Sequence, residues 1–486
     1  MTLEAQQLLD LFIRQLRERA ERGVPFLRPE VRHDEGLNDR RVVFRNAAFS
    51  HPVDVSMAMK GALMRAAHSA GINEQNDEAT EFFDEWCIDE ATAAVLAYAA
   101  NRLGDETAEL SDLERVLCFD VGGGTTDLAA VELRDMARFH AGDADVSQVT
   151  VELCAKKGDS RFGGDRIDQL LAKKMLEQVE QQSREHGSPV VTDEVLEAIL
   201  APSFAAFQDG YRERLKHDPR RKKEDEVDLD TLYRLASGIV EIAEKGKCKL
   251  STAPEHRAPI DGALWPRAPG GGGDKTKNFE IVVEAAALEA IAREELGKRL
   301  KLLEGVVSAA GWEWSSVTTF LFTGQSMRSP ILRQPVLEHL RSRLGEEGFA
   351  KLHLVEPGEN GTVGGFDPKL CVAIGAAIWG MSRTHAHPWL LIQRPLLDRL
   401  SLDLRLAGGP GRFLPIEGLE RGAPLPVKGK ITFPNPRTQV TLYSDRKKLV
   451  EFHATEAARE FTIEVESLGD FWLIANGKRY RGELVQ

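Results

Sequence analysis

The stretch CFDVGGGTTDLAAVEL, Cys118 to Leu133, sets three consecutive glycines inside an apolar, strand-like run and brackets them with Asp120 and Asp127. Glycine costs backbone entropy in a strand interior and packs nothing there, so three together need another use. A glycine turn lets the main chain approach a ligand closely and aim several N–H groups at it, which suits a polyphosphate. Thr125 adds a hydroxyl beside those amides. Asp120, at the end of a strand, is the kind of group that holds a hydrated magnesium ion, a cation that prefers carboxylates and retained water. The pattern is not a Walker loop, which needs a lysine and a helix directly after the glycines; here strand-like DLAAVEL comes next. A ligand-free glycine turn competes for GGG alone, and the flanking Asp120, Thr125 and Asp127 favour the phosphate-binding reading.

The elements around this stretch must position it. VLCFDV reads as a buried strand, GGGTT as a turn and DLAAVEL as a second strand, together a β-hairpin. Upstream, MTLEAQQLLDLFIRQLRERAERG places Leu3, Leu8, Leu9, Leu11, Phe12 and Leu16 among charges, as an amphipathic helix does. RRVVFRNAAF (Arg40 to Phe49) reads as a short strand, VDVSMAMKGALMRAAHSAG as a helix capped at Gly71, and IDEATAAVLAYAANRLG as an alanine-rich helix that opens on a carboxylate. The chain is mostly helical from Asp168 to about Ser251, apart from HDPRRKKEDE. APGGGGD is a flexible connector, VTTFLFTG a strand, and GFDPKLCVAIGAAIWGM a glycine-marked helix. Near His387 the character changes. WLLIQRPLL is short, apolar and proline-marked, and the remainder of the chain alternates as strands do, with Asn476-Gly477 a strong hairpin signal.

Composition bounds the function classes. The 486 residues have room for roughly three domains. Hydrophobic content of 42% and charged content of 29% are those of a globular chain. A net charge of −13 argues against general nucleic-acid binding. Five scattered cysteines, with no C-x-x-C pair, give no metal-site spacing and fit reduced thiols in a cytoplasm. No apolar run approaches the ~20 residues that cross a bilayer, so no membrane partner is expected.

The glycine turn resembles the second phosphate motif of the actin-like ATPase superfamily, and its neighbours narrow the likeness to the 70-kDa heat-shock (DnaK-like) chaperones. Glu90 in IDEATAAVLAYA resembles their I-N-E-P-T-A-A-A-L-A-Y-G. GGDRID (Gly163 to Asp168) resembles G-G-E-D-F-D, AEKGKCKLS (Ala243 to Ser251) resembles R-A-K-R-x-L-S with its preceding glutamate, and FTGQSMRSPIL resembles V-G-G-S-T-R-I-P. FDPKLCVAIGAAI resembles N-P-D-E-A-V-A-Y-G-A-A, and WLLIQRPLLDRLSLDLRL resembles the leucine-rich linker and first strand of the peptide-binding domain.

The resemblance implies an α/β fold: an actin-like (ribonuclease H-like) two-lobed ATPase domain, N-terminally incomplete, followed by a β-sandwich-like substrate-binding domain. Residues 1–104 would be the remainder of lobe I, 105–384 lobe II with a helical subdomain, 385–394 the interdomain linker and 395–486 the β domain. It implies ATP or ADP with Mg2+ as cofactors. Asp120 would orient the magnesium–water cluster with Glu90 reaching it from the other lobe, and Gly122, Gly123, Gly124 and Thr125 would contact the β- and γ-phosphates. Asp127 would support the pocket. Glu244, Lys247, Ser251, Gly324, Ser326 and Arg328 would contact the adenosine, Arg328 by stacking on adenine. Asp367 would sit near the ribose, and Gly375 would be a hinge position. Hydrolysis would be coupled to binding of unfolded or extended polypeptide clients, with J-domain and nucleotide-exchange co-chaperones, in the cytoplasm.

The likeness has gaps. No D-x-G-T-T-x-S strand, the family's first phosphate motif, occurs, nor a counterpart of the catalytic lysine that comes after it. RVVFRNAAF would be nearly alone in its sheet, and an isolated strand is not stable. A partner chain that completes lobe I, a misassigned start and a decayed ATPase are the alternatives; the intact second motif favours a partner or a truncation over decay. Gln325 replaces a glycine of the adenosine loop, Cys248 an arginine of some relatives, and Ala91 the proline of the interdomain signalling route. The rival function is a non-hydrolysing, nucleotide-sensing scaffold; a filament protein or sugar kinase of the same superfamily leaves the β tail without a role. Cys248, the Arg220–Lys223 run, the His385/His387 pair and Trp312/Trp314 read as a packed or exposed thiol, a solvated loop, a linker turn and packing residues.

Overall fold

The computed structural model describes residues 5–27, 44–55, 57–75, 79–141, 144–187, 190, 193–201, 203–217, 229–262, 265, 278–357, 370–384, 390–392, 404–409, 412–419, 427–444, 447–467 and 470–484. The connector APGGGGD, the Arg220–Lys223 run, the His385/His387 pair and Asp367 lie outside them.

A strand covered on both faces must be apolar at nearly every position, and VLCFDV obeys that rule except at Asp120. Strands β1 (Phe49–His51) and β2 (Cys87–Asp89) pair in parallel as a two-stranded sheet. Strands β3 (Leu113–Val121), β4 (Thr126–Ala141) and β5 (Ala144–Asp159) then run as two successive antiparallel hairpins. Strands β6 (Glu255–Ile260) and β7 (Phe279–Glu284) form a separate antiparallel pair. Strands β8 (Thr319–Thr323) and β9 (His353–Val355) continue the main sheet in parallel beyond β3, and β10 (Leu390–Ile392) closes its other edge beside Ser147–Val149 of β5. The main sheet is six-stranded and mixed, in the order β10-β5-β4-β3-β8-β9.

Its two faces bury different cores. Leu117, Phe119, Val121 and Leu128 pack against the helices Gly164–Glu185, Leu229–Leu250 and Ala285–Ala309. Val116, Cys118, Ala129 and Val131 face the helices Glu90–Gly104 and Cys371–Thr384. These two helices cross closely at Gly375, where a Cβ would lie 1.7 Å from the Ala93 carbonyl oxygen. The Cys371 thiol and the Thr323 hydroxyl, 3.0 Å apart, join the start of the second helix to the end of β8.

Strand β1 departs from expectation. Residues 44–48 carry no regular structure, and the strand is Phe49–His51, nearer to Pro52 than RVVFRNAAF implies. The helix Met57–Ser69 ends as expected at Gly71, which takes φ +69° while Ile72 N–H bonds Ala67 O and Gly71 N–H bonds His68 O, a Schellman closure. The N-terminal helix, Ala5–Leu27, packs Ile13 with Ala66, Phe82 and Trp86 and leaves Leu8, Leu11, Phe12 and Leu16 exposed.

Strands β11 (Arg405–Gly409), β12 (Arg412–Pro415), β13 (Val427–Ser444), β14 (Lys447–Ser467), β15 (Asp470–Ala475), β16 (Lys478–Arg481) and β17 (Glu483–Leu484) form an antiparallel sheet with its own core around Leu442, Phe452, Ile463 and Leu473. Register shifts between Thr432 and Gln439 break the long β13–β14 ladder into two paired stretches. Asn476 and Gly477, both at positive φ, make the β15–β16 turn that the sequence signals.

Close helix crossing predicts opposite effects at two helical glycines. Gly375→Ala should destabilise by about 1–3 kcal/mol through overpacking on Ala93. Gly297→Ala, where an added Cβ meets open space, should stabilise by up to about 1 kcal/mol. Thermal melts of the two variants check both signs.

Candidate functional site

The β3–β4 register sets Asp120 directly opposite Asp127 and Val121 opposite Thr126, so the four intervening residues, Gly122–Thr125, form the turn. Gly122 N–H closes it on Thr125 O at 3.0 Å. None of the three glycines needs a positive φ. Gly123 and Gly124 are exposed, and a Cβ at Gly124 would meet nothing within 4 Å. Neither backbone strain nor crowding within the chain explains glycine there; close approach by something outside the chain does.

A second glycine pair supports the turn from beneath. Gly164 N–H bonds Gly122 O at 2.9 Å and Asp165 N–H bonds Gly123 O at 2.7 Å, which spends two of the turn's carbonyls on the start of the Gly164–Glu185 helix. A Cβ on Gly163 would strike Gly123 O at 2.3 Å. From the third side, the turn Gly324–Arg328 comes after β8. Gly324 takes φ +83°, where a Cβ would lie 2.5 Å from Asp120 Oδ1, and the Ser326 hydroxyl donates to Gly122 O at 2.9 Å. The glycine turn is thus held by two segments distant from it in sequence.

Three carboxylates converge beside it. Asp120 is buried, and desolvation first, then the charges of Asp127 and Glu90, pushes its carboxyl well above the usual range. Asp127 is pushed up to about 7, chiefly by burial, against the opposing hydrogen bond from Val53 N–H to its Oδ1 at 2.6 Å. Glu90 opens the Glu90–Gly104 helix, and burial followed by the neighbouring Asp89 raises its carboxyl too. The donors fit magnesium: carboxylates lacking a full countercharge, beside a ring of bare backbone. Among the described residues no three His, Cys, Asp or Glu side chains enclose a metal by themselves, so a cation here would keep water and ligand oxygens, as magnesium does.

The adenosine candidates are less uniform. Lys247 is committed within the chain, its Nζ lying 2.7 Å from Asp168 Oδ2 and 3.3 Å from Gly164 O, and so joins the Leu229–Leu250 helix to the turn's support. Burial raises the Asp168 carboxyl to about 6 in spite of that lysine. The Ser251 hydroxyl donates to Lys247 O at 3.1 Å and meets the Ser329 hydroxyl at 2.8 Å. Glu244 and Arg328 are exposed, and Arg328 Nη1 reaches Gln325 Oε1 at 3.3 Å. Lys247, Ser251, Gly324 and Ser326 therefore belong to one connected set with the glycine turn.

Residues 85–190 match the family model described as Hsp70 protein. Over that segment, less than a quarter of its length, the chain is similar to the Hsp70 family. The Hsp70 segment carries Glu90, Asp120, the glycine turn, Asp127 and the Gly163–Gly164 support. Glu244 to Arg328 lie beyond it and join the site through the contacts just described.

Sequence reasoning misses the participation of Val53, Asp89, Lys156 and Ser329. Val53 and Asp127 are far apart along the chain and no local pattern links them. His51, which precedes Pro52 and Val53, is held neutral: burial lowers its pKa to about 4, its Nδ1–H donates to Pro52 O at 2.8 Å, and the charge of Lys156 adds to the lowering.

The raised Asp127 carboxyl fixes a pH dependence. Between an unfolded value near 3.8 and about 7 the folded, ligand-free chain holds a proton that the unfolded chain has lost, so this group's contribution to stability falls as pH rises through that window. His51 acts with the opposite sign between about 4 and 6.5, but it is common to wild type and variant. Asp127→Asn, which keeps an oxygen for Val53, should therefore be more stable than the wild type at pH 8, by on the order of 3 kcal/mol, with the gap closing near pH 4. Thermal melts across that range without nucleotide check it.

Proposed function

We propose that this chain binds Mg-ATP in the cleft between the Glu90 helix and the glycine turn and uses that nucleotide to control polypeptide binding in its β domain, as an ATP-dependent chaperone. The observation that carries the proposal is the pairing of the exposed Gly123 and Gly124 with the buried carboxylates Asp120 and Asp127 and the half-buried Glu90. The match of residues 85–190 to the Hsp70 family model supports the coarser statement, an ATP-binding, chaperone-type protein.

In this reading Asp120 and Glu90 hold the hydrated magnesium and the Gly122–Thr125 turn faces the terminal phosphates, with the amides of Gly123, Gly124 and Thr125 as donors, since the Gly122 amide already closes the turn on Thr125 O. The metal, when bound, supplies charge stabilisation to the phosphoryl oxygens. Burial of Asp120 excludes bulk water from that side and strengthens each electrostatic contact. Ser251, Ser326, Gly324, Lys247, Glu244 and Arg328 frame the adenosine side, where an exposed guanidinium suits stacking on a base. Strand β10, paired with β5, offers a mechanical route toward the β domain, since β5 ends at Asp159 just before the Gly163–Gly164 support. The actin-like, two-lobed character of the nucleotide domain belongs to this proposal, and so does completion of lobe I by a partner polypeptide. Among the described residues the β1–β2 sheet has only two strands, which leaves an outer edge of β1 on which a further strand could pair.

A second reading, a scaffold that binds ATP without hydrolysing it, is favoured by the lack of the first phosphate motif and its lysine in this sequence.

Calorimetry of the full chain with Mg-ATP should register binding, and Asp120→Asn should weaken it at least about tenfold. Phosphate release, measured for the chain alone and with a polypeptide carrying D-x-G-T-T, should occur and be lost in Asp120→Asn and Thr125→Ala. Binding without release in every combination would leave the scaffold; no heat of binding would remove both readings.

A further inference from the structure

Lys156 is a lysine in the interior of β5 with a side chain 3% exposed. Lysine is almost never buried to that degree unless paired. Its Nζ lies 3.3 Å from Asp89 Oδ2, and the Asp89 side chain is equally buried. The two residues come from different parts of the fold. Asp89 ends β2 of the small parallel sheet, whereas Lys156 belongs to the six-stranded sheet.

Asp89 has a second task. It is the N-cap of the Glu90–Gly104 helix, accepting Thr92 N–H at 2.9 Å on Oδ1 and the Thr92 hydroxyl at 2.9 Å on Oδ2. Glu90 is the next residue. Whatever fixes Asp89 therefore fixes where the helix begins and where the Glu90 carboxylate stands. The register places Lys156 on the side of the sheet that matters: Cys118 pairs with Ala129, Ala129 with Lys156, and Asp120 with Asp127. Positions two apart on a strand share a face, so Lys156, Asp127 and Asp120 point to the same side, toward the Glu90 helix.

We infer that Lys156 is a positioning residue for the metal–nucleotide site, tying the Asp89 cap to β5 and thereby setting Glu90 opposite Asp120 and Asp127. This inference rests on the nucleotide reading for its consequence, but the tie itself does not. A lone Asp89 carboxylate would be one more negative group beside Glu90, and breaking a buried pair by removing one partner leaves an uncompensated charge. The cap would then loosen or shift toward solvent, and the helix start with it.

The test uses the full chain and three variants, Lys156→Met, Lys156→Arg and Asp89→Asn/Lys156→Met. Two quantities are measured: hydrogen exchange at the amides of residues 91–94 without ligand, and the ratio of ATP affinity in Mg2+ to that in EDTA. Lys156→Met should speed exchange at those amides and lower the ratio about tenfold, the usual scale for a lost outer-shell partner. Affinity in EDTA should change less than about twofold, since a general loss of stability does not single out the metal-dependent part. Lys156→Arg should restore both quantities, and the double variant, in which a neutral Asn cap needs no cation, should lie within about threefold of wild type. Unchanged exchange and an unchanged ratio in Lys156→Met would overturn the inference. If that variant does not fold, a double variant that folds but loses the metal-dependent ratio would overturn it as well. Wild-type protein that binds no Mg-ATP would remove the nucleotide reading, and exchange at residues 91–94 would still decide whether Lys156 holds the cap.

Discussion

Carboxylates that share a dry cleft repel one another and resist ionisation, and that repulsion is the constraint around which this chain is arranged. Asp120, Asp127 and Glu90 come from the end of β3, the start of β4 and the first turn of a helix, and each is raised chiefly by its own burial. A folded chain gains nothing from holding them together in isolation. Bringing in a divalent cation reverses the sign of the interaction. In the nucleotide reading proposed above a divalent cation would complete the cleft, and the turn beside it, with Gly123 and Gly124 exposed, would supply amides to the cation's phosphate ligand.

The sheet is what makes the arrangement precise to within a side chain. Hydrogen-bonded register, not side-chain packing, sets Asp120 against Asp127 and Gly158 against Asp127. Gly158 illustrates how tight the fit is, since a Cβ there would come within 3.1 Å of Asp127 Oδ1 and 3.2 Å of Val53 Cβ. With that Cβ absent, the Pro52–Val53 segment lies against the strand and delivers its amide. The same register puts Lys156 in reach of Asp89. A single residue of slippage would turn all of these groups to the opposite face.

Much of this is legible in the sequence because it is local. VLCFDVGGGTTDLAAVEL shows its hairpin through apolar continuity broken by glycine, Asn476-Gly477 shows its turn, and IDEATAAVLAYAANRLG shows its alanine-rich helix. The sequence misplaces the strand near Phe49 because a three-residue strand is defined by its partner, and β2 is far away along the chain. The commitment of Lys247 to Asp168 is invisible for the same reason: the positively charged helix end reads equally well as a ligand contact. Strand β10 reads as linker, since proline-marked apolar segments give no signal of the edge they join. What the sequence withholds is consistently the long-range pairing.

One such pairing links the two parts of the cleft. Val53 N–H is donated to Asp127 at 2.6 Å, and it belongs to the segment directly after β1. An ionised carboxylate accepts a hydrogen bond more strongly than a protonated one. Burial pushes the Asp127 carboxyl up to about 7 against the pull of that hydrogen bond. In the proposed site a cation that favours its ionised form would tighten the Val53 bond, and by reciprocity a firm Val53 bond would favour the cation. Asp127 thus touches both parts of the cleft, the segment after β1 through Val53 and the hairpin that carries Asp120 through its register.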